Sequence, residues 1–105
     1  SLTEIGSLSF EKPDTEVFPC ISLAYRAAKT GGTLPAAMNA ANEVAVAAFL
    51  NGDIKFHQIP EIIQLVMEEH RVNTRPSLND IIDTDLASRE LATAAVNRIK
   101  QGGEL

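Results

Sequence analysis

The sequence predicts a mostly α-helical domain, a small bundle of about four helices that follows an extended strand segment. Helix-period apolar patterns cover most of the chain beyond residue 20, and Gly or Pro residues separate them. Hydrophobic residues make up 45% of the 105 residues, but aromatic residues only 5%, and Trp is absent. The core of this single domain must therefore be filled chiefly by Ala, Val, Ile and Leu.

Residues 1–10 predict a strand rather than a helix. Leu8 and Phe10 alternate with polar neighbours in a period-2 pattern, and no second strand of comparable quality follows. A lone strand cannot satisfy its backbone hydrogen bonds, so we expect it to pair with a sheet outside this sequence. Residues 11–19, which contain two prolines, are predicted to form a linker.

The first predicted helix runs from Ile21 through Lys29 and stops at a pair of glycines. Its apolar surface is predicted to consist of Leu23, Tyr25, Ala27 and Ala28. Cys20 lies at the start of this helix, where the helix dipole could lower the pKa of a thiol. Because no His partner is evident nearby, we interpret Cys20 as a small buried hydrophobic residue. A single cysteine also indicates a reducing compartment.

The second predicted helix is rich in alanine and runs from an N-cap at Thr33 to about Leu50. Apolar residues surround most of it, so we expect it to be buried. Asn39, Asn42 and Glu43 interrupt the apolar surface at a spacing that places them on one face. Buried polar groups need hydrogen-bond partners. We therefore favour a network that caps loops or supports a domain junction over a ligand site.

Two more helices are predicted in the second half. One opens at Pro60, after a short extended connector, and its apolar stripe consists of Ile59, Ile62, Ile63, Val66, Met67 and His70. Ser77 and Asp80 resemble a capping box that starts a short turn. Asp83 or Thr84 is then predicted to cap a last helix from about residue 85 to 100. Its buried stripe is predicted to consist of Leu91, Ala92, Ala95, Val96 and Ile99.

No catalytic, cofactor-binding or metal-binding residue is predicted from these patterns. His57 and His70 lack metal-ligand spacing, and Asp80, Asp83 and Asp85 do not match a calcium loop, so we interpret the aspartates as helix caps. The formal net charge of −5 argues against nucleic-acid binding. No apolar run approaches the roughly 20 residues that span a bilayer, so we expect no membrane partner.

Four blocks of the sequence resemble the 1-deoxy-D-xylulose 5-phosphate reductoisomerase family in order and spacing. The most specific is the alanine-rich run LPAAMNAANEVAVAAFL at residues 34–50. The others are residues 5–10 with Pro13-Asp14, residues 18–24 and residues 54–59. The match covers most of residues 2–70, and the last helix fits more loosely.

The resemblance implies that this chain is the C-terminal structural domain of an NADPH-dependent enzyme. That enzyme converts 1-deoxy-D-xylulose 5-phosphate to 2-C-methyl-D-erythritol 4-phosphate in non-mevalonate isoprenoid biosynthesis. Residues 1–12 would be strand and linker of the central catalytic domain, and residues 13–105 the helical domain. The family's sites for NADPH and a divalent cation (Mg or Mn) lie upstream, so no site residue is carried over. We expect this chain alone to be inactive.

The resemblance also implies the partners and location of the chain. Its partners would be the upstream NADPH and catalytic domains of the parent chain, which is expected to be a homodimer in a bacterial cytoplasm or a plastid. Asn39, Asn42 and Glu43 would then support the domain junction. The alternative is a stand-alone helical interaction module that recruits a protein through its exposed strand by β-augmentation.

Overall fold

A computed structural model describes residues 19–105, which form helices joined by short turns. The helices are α1 (Pro19–Thr30), α2 (Leu34–Leu50), α3 (Gln58–Glu69) and α4 (Leu78–Lys100). Within this range, the predicted helical fold class and the predicted number of about four helices are confirmed. The predicted strand at residues 1–10 and nearly all of the predicted linker lie outside the described residues, so the pairing of that strand stays a prediction.

Helix α2 lies at the centre of the bundle and packs against α1, α3 and α4. Its inward face consists of small side chains, and the buried alanines are Ala37, Ala40, Ala41, Ala45 and Ala48. The larger side chains of the core come mainly from α3, namely Ile59, Ile62, Ile63, Val66 and Met67. Burying each of these fully contributes about 1.5–3 kcal/mol. The predicted apolar stripe of α3 is therefore confirmed as the main source of core volume.

The turn between α1 and α2 depends on two glycines. Gly31 and Gly32 have φ values of +71° and +58°, a left-handed conformation that only glycine adopts without cost. A Cβ atom on Gly32 would also collide with the backbone carbonyl of Asn73. The turn can therefore lie directly against the loop that precedes α4.

Only part of the predicted apolar surface of α1 is buried. Leu23 and Ala27 belong to the core, whereas Tyr25 and Ala28 are exposed. The prediction for Tyr25 and Ala28 was wrong because α1 buries a single narrow stripe, at an i, i+4 spacing, against α2 and α3. Cys20 is half-buried and packs against the core, which agrees with its interpretation as a small hydrophobic residue.

The connection between α2 and α3 is made of turns rather than the predicted extended chain. Gly52, with φ of +83°, reverses the backbone after α2, and the N–H of Asp53 donates to the carbonyl of Ala48 at 2.9 Å. The side-chain oxygen of Gln58 then accepts from the N–H of Lys55 at 2.7 Å. Helix α3 therefore begins at Gln58, earlier than the predicted start at Pro60.

Helix α4 is continuous, so the predicted new start at Asp83 or Thr84 was wrong. Ser77 and Asp80 form the capping box, with Asp80 N–H donating to Ser77 Oγ at 3.1 Å and Ser77 N–H to Asp80 Oδ2 at 2.9 Å. No Gly or Pro follows within the helix, and Thr84 turns inward and is buried. The buried residues of α4 are Thr84, Ser88, Ala92, Ala95 and Val96, and the predicted members Leu91 and Ile99 are half-buried.

A stability measurement can distinguish Ser77 from Asp83 as the residue that caps α4. We expect Ser77→Ala to lower the free energy of unfolding by about 1 kcal/mol, because it removes the acceptor for an otherwise unpaired N–H. Asp83→Ala is the matched control, since Asp83 is an exposed helix-interior residue and alanine has the higher helix propensity. Urea denaturation followed by circular dichroism checks both. A larger loss for Asp83→Ala than for Ser77→Ala would contradict a single helix that begins at Leu78.

Candidate functional site

The polar stripe of α2 lies on the side of the helix that faces away from the core. Asn39 and Glu43 are exposed and Asn42 is half-buried, so the expectation that the stripe is buried was wrong. The other three helices cover the alanine face, and residues 39 and 43 lie across the helix from it. The stripe is therefore accessible to a partner, and the support of a domain junction stays a proposal.

Glu43 connects the stripe to α4 through Arg89. Arg89 donates from Nη2 to Oε2 of Glu43 and from Nε to Oδ2 of Asp85, the latter at 2.8 Å. These hydrogen bonds, first that to Asp85 and then that to Glu43, raise the pKa of Arg89, which is charged at any physiological pH. The side chains of Arg89 and Glu43 are 38% and 53% exposed, so solvent screens most of their attraction. The pair orients the two helices more than it stabilises them.

The described residues do not fit a divalent metal or a reactive thiol. Among residues 19–105, no three His, Cys, Asp or Glu side chains lie close enough to share an ion. Asp80 caps α4 as predicted, but Asp83 and Asp85 do not cap a helix, and Asp85 instead binds Arg89. Burial raises the pKa of the Cys20 thiol, which disfavours the nucleophilic thiolate. Within this same range, none of the helices is long and apolar enough to cross a membrane.

A polar cluster that the sequence did not predict joins the start of α2, the end of α3 and the loop before α4. Thr33 is only 1% exposed, and its N–H donates to the carbonyl of Asn73 at 3.0 Å. The Thr33 hydroxyl oxygen accepts from the N–H of Asn73 at 2.9 Å and lies 2.7 Å from Nε2 of His70. Thr33 occupies the predicted N-cap position of α2, but its side chain makes no capping hydrogen bond. The predicted capping role was wrong because the loop before α4 engages the hydroxyl.

Asn73 extends this cluster to the start of α4. Its Nδ2 donates to Oδ2 of Asp80 at 3.0 Å, and its Oδ1 accepts from the N–H of Arg75 at 3.0 Å. Hydrogen bonds from Ser77, and a further one from Asn73, hold the pKa of Asp80 below its usual range. The start of α4 is thereby fixed relative to the start of α2. Residues 33 and 73 are too far apart in sequence for any local spacing rule to reveal the contact.

His70 is a structural residue in this cluster, as predicted. It ends α3, and burial lowers the pKa of its imidazole. Because Asn73 donates its N–H to the Thr33 oxygen, the Thr33 hydroxyl hydrogen is available for Nε2 of a neutral imidazole. Burial therefore favours the uncharged form of His70, and the cluster offers that form a hydrogen-bond partner.

The fold and this geometry define a class of protein: a helical domain with a polar outer face, in which residues 19–105 bring together no cluster of metal-ligating side chains. A family model described as the DXP reductoisomerase C-terminal domain matches residues 1–91. The chain belongs to this family, and the resemblance found in the sequence is confirmed.

Curated relatives give the same result. The chain is similar to 1-deoxy-D-xylulose 5-phosphate reductoisomerase from Acetivibrio thermocellus, with 52% identity over 95 residues, which is 90% of this chain and 25% of that protein. The enzyme of the same name from Desulforamulus reducens is 52% identical over 96 residues, 91% of this chain and 25% of the relative. The enzyme of that name from Prochlorococcus marinus strain MIT 9313 is 45% identical over 100 residues, which is 93% of this chain and 24% of that protein. The chain thus spans about a quarter of the length of these relatives and is part of a larger chain.

The contribution of the polar cluster can be tested at Thr33. We expect Thr33→Val to lower the free energy of unfolding by about 1–3 kcal/mol, because it leaves the N–H of Asn73 and the ring of His70 without a partner. Thr93→Val on the exposed side of α4 is the matched control for the same change in side chain. Chemical denaturation measures both. Equal losses in the two variants would show that the cluster does not hold the bundle together.

The lowered pKa of His70 also predicts a pH dependence. The unfolded chain, in which the imidazole has its ordinary pKa of 6.5, binds a proton more readily than the folded chain, so acid favours unfolding. The free energy of unfolding should therefore fall as pH drops below about 6.5, and His70→Gln should remove that part of the decrease. His57→Gln, at an exposed histidine, is the control. An unchanged slope between pH 7.5 and 5.5 in His70→Gln would refute this role.

Proposed function

We propose that the protein is the C-terminal structural domain of an NADPH-dependent reductoisomerase. The complete enzyme would convert 1-deoxy-D-xylulose 5-phosphate to 2-C-methyl-D-erythritol 4-phosphate in non-mevalonate isoprenoid biosynthesis. The observation that carries this proposal is the family match over residues 1–91, together with about 50% identity to enzymes of that name. The chain spans about a quarter of the length of those enzymes. It would therefore take part in their reaction only as a piece of a longer polypeptide.

We assign NADPH and the divalent cation, Mg or Mn, to the part of the enzyme that precedes this chain. The family resemblance supports this assignment, because the family's NADPH and metal sites lie upstream of the segment that this chain matches. Three of the acidic residues singled out in the sequence have structural partners: Asp80 caps α4, and Asp85 and Glu43 bind Arg89. The function proposed for this chain is therefore architectural, and we expect the chain alone to be inactive.

We further propose that residues 1–12 belong to the central catalytic domain and residues 13–105 to the helical domain. Asn39, Asn42 and Glu43 would support the junction between them. Their position on the outer face of α2 supports this role, because α1, α3 and α4 pack on the opposite side and leave this face open to a neighbouring domain. The enzyme would act as a homodimer in the cytoplasm of a bacterium or in a plastid, without nucleic acid or membrane.

The alternative of a stand-alone interaction module has less support. It rests on the strand predicted for residues 1–10, which lie outside the described residues, and no observation on residues 19–105 favours it. The alternative also does not explain why the chain is similar to the reductoisomerases.

Turnover tests the proposed function directly. The complete enzyme that contains this chain should oxidise NADPH in the presence of 1-deoxy-D-xylulose 5-phosphate, and the 105-residue chain alone should not. Loss of absorbance at 340 nm measures the rate. Turnover by the chain alone would refute the claim that it lacks catalytic residues, and no turnover by the complete enzyme would refute the assigned reaction.

The junction role is tested at Asn42. We expect Asn42→Leu in the complete enzyme to lower the melting temperature or kcat with little change in NADPH affinity, because the variant disturbs a junction and not the nucleotide site. Asn97→Leu, the same change at an exposed position of α4, is the matched control and should behave as wild type. A wild-type melting temperature and kcat for Asn42→Leu would count against the junction.

A further inference from the structure

The first half of α4 exposes an unusual number of large aliphatic side chains. Leu78, Ile81, Ile82 and Leu86 are 72%, 39%, 48% and 56% exposed. None of residues 78–83 is buried, although the same helix contributes five buried residues further along. Isolated exposed aliphatics are ordinary, but a contiguous row of them on one helix marks an interaction surface.

Three of these residues form one stripe on the helix. Leu78, Ile82 and Leu86 follow an i, i+4, i+8 spacing, so they lie above one another on a single face, here called the α4 stripe. Its neighbour on the next turn is Arg89, which reaches across to Glu43 on α2. The α4 stripe and the polar stripe of α2 are therefore parts of one continuous outer surface.

We propose that the α4 stripe is a docking surface for the part of the same polypeptide that precedes α1. That part would bury Leu78, Ile82 and Leu86 under its own aliphatic side chains and place Lys or Arg at the rim. The proposal depends on the proposed function only in taking this chain to be a piece of a longer one. It extends the junction beyond Asn39, Asn42 and Glu43 to a second helix.

The length of the parent chain favours this occupant. The chain spans a quarter of relatives such as the Acetivibrio thermocellus enzyme, so roughly three quarters of the polypeptide is available to cover the stripe. A covalently tethered partner is present at an effective concentration of about millimolar, so a modest apolar contact is sufficient to hold it.

Area and charge disfavour a second copy of this chain as the occupant. A stable interface between separate molecules buries roughly 800 Å² on each partner, more than one stripe of partly exposed aliphatic side chains supplies. Acidic residues flank the stripe, with Asp83 beside Ile82 and Glu90 beyond Leu86, whereas Asp85 is already paired with Arg89. Two copies with a net charge of −5 each would bring these carboxylates together, whereas a basic rim would pair with them.

Thiol labelling in the complete enzyme tests whether the stripe is covered. The variants are Ile82→Cys and, as the matched control on another face of α4, the exposed Ala94→Cys. We expect maleimide to label the cysteine at position 82 at least about tenfold more slowly than that at position 94, and equally fast in urea, with mass spectrometry of the α4 peptide as the readout. Equal rates under native conditions would show that the stripe is open to solvent and overturn the proposal.

Photo-cross-linking identifies the occupant. Benzoylphenylalanine in place of Ile82 should, on irradiation, give a product that runs as a single chain on a denaturing gel. Its cross-linked peptide should come from residues that precede α1. The same photo-reactive residue in place of Ala94 should give little product. A product of twice the chain mass would mean that another molecule occupies the stripe, and this would overturn the proposal.

These readouts do not depend on turnover. A complete protein without reductoisomerase activity would refute the proposed reaction, yet the labelling and cross-linking would still report whether the α4 stripe docks. Conversely, an active enzyme with a freely labelled position 82 would refute the docking surface and leave the reaction intact.

Discussion

The architecture depends on the close approach of three helices to the alanine face of α2. Ala37, Ala40, Ala41 and Ala45 are all fully buried, and no side chain longer than a methyl group occupies those positions. The distance between packed helices is set by the side chains at their contact, so methyl groups permit a short one. The branched side chains of α3, led by Ile62 and Ile63, then fill the remaining volume at the density of a protein interior.

This constraint determines where a partner can bind. Because α1, α3 and α4 cover the alanine face of α2, the side that remains open in the described part of the chain carries Asn39 and Glu43. The hydrogen bonds from Thr33 through Asn73 to Asp80 fix the start of α4 beside the start of α2. The outer surfaces of the two helices consequently form one face.

Local physical rules predicted much of this fold from the sequence. The period of the apolar residues identified α3, the glycine pair identified the end of α1, and Ser77 with Asp80 identified the capping box. The break at Asp83 was a local error, since aspartate resembles an N-cap wherever it occurs and only the backbone at Ser77 departs from the helix. Residues that favour caps do not end a helix when the sequence offers no glycine or proline.

The site was less predictable because it depends on distant contacts. The partner of Glu43 is Arg89, and that of Thr33 is Asn73, pairs that no spacing rule connects. Burial was also misjudged for the polar stripe, since composition indicates that a helix is mostly apolar but not which of its edges the neighbours leave open. The exposed α4 stripe was not predicted for a related reason, because Leu78 and Ile82 were placed in a short turn and only Leu86 in the last helix.

The central claim, that methyl-sized side chains on α2 set the packing of the bundle, is tested most directly by adding volume at Ala41. Ala41→Val is compared by thermal and chemical unfolding with Ala47→Val, an exposed position on the same helix that carries the same cost in helix propensity. We predict that Ala41→Val loses about 1–3 kcal/mol more than Ala47→Val, because the buried site cannot accommodate two further methyl groups. Equal losses at the two positions would contradict the claim.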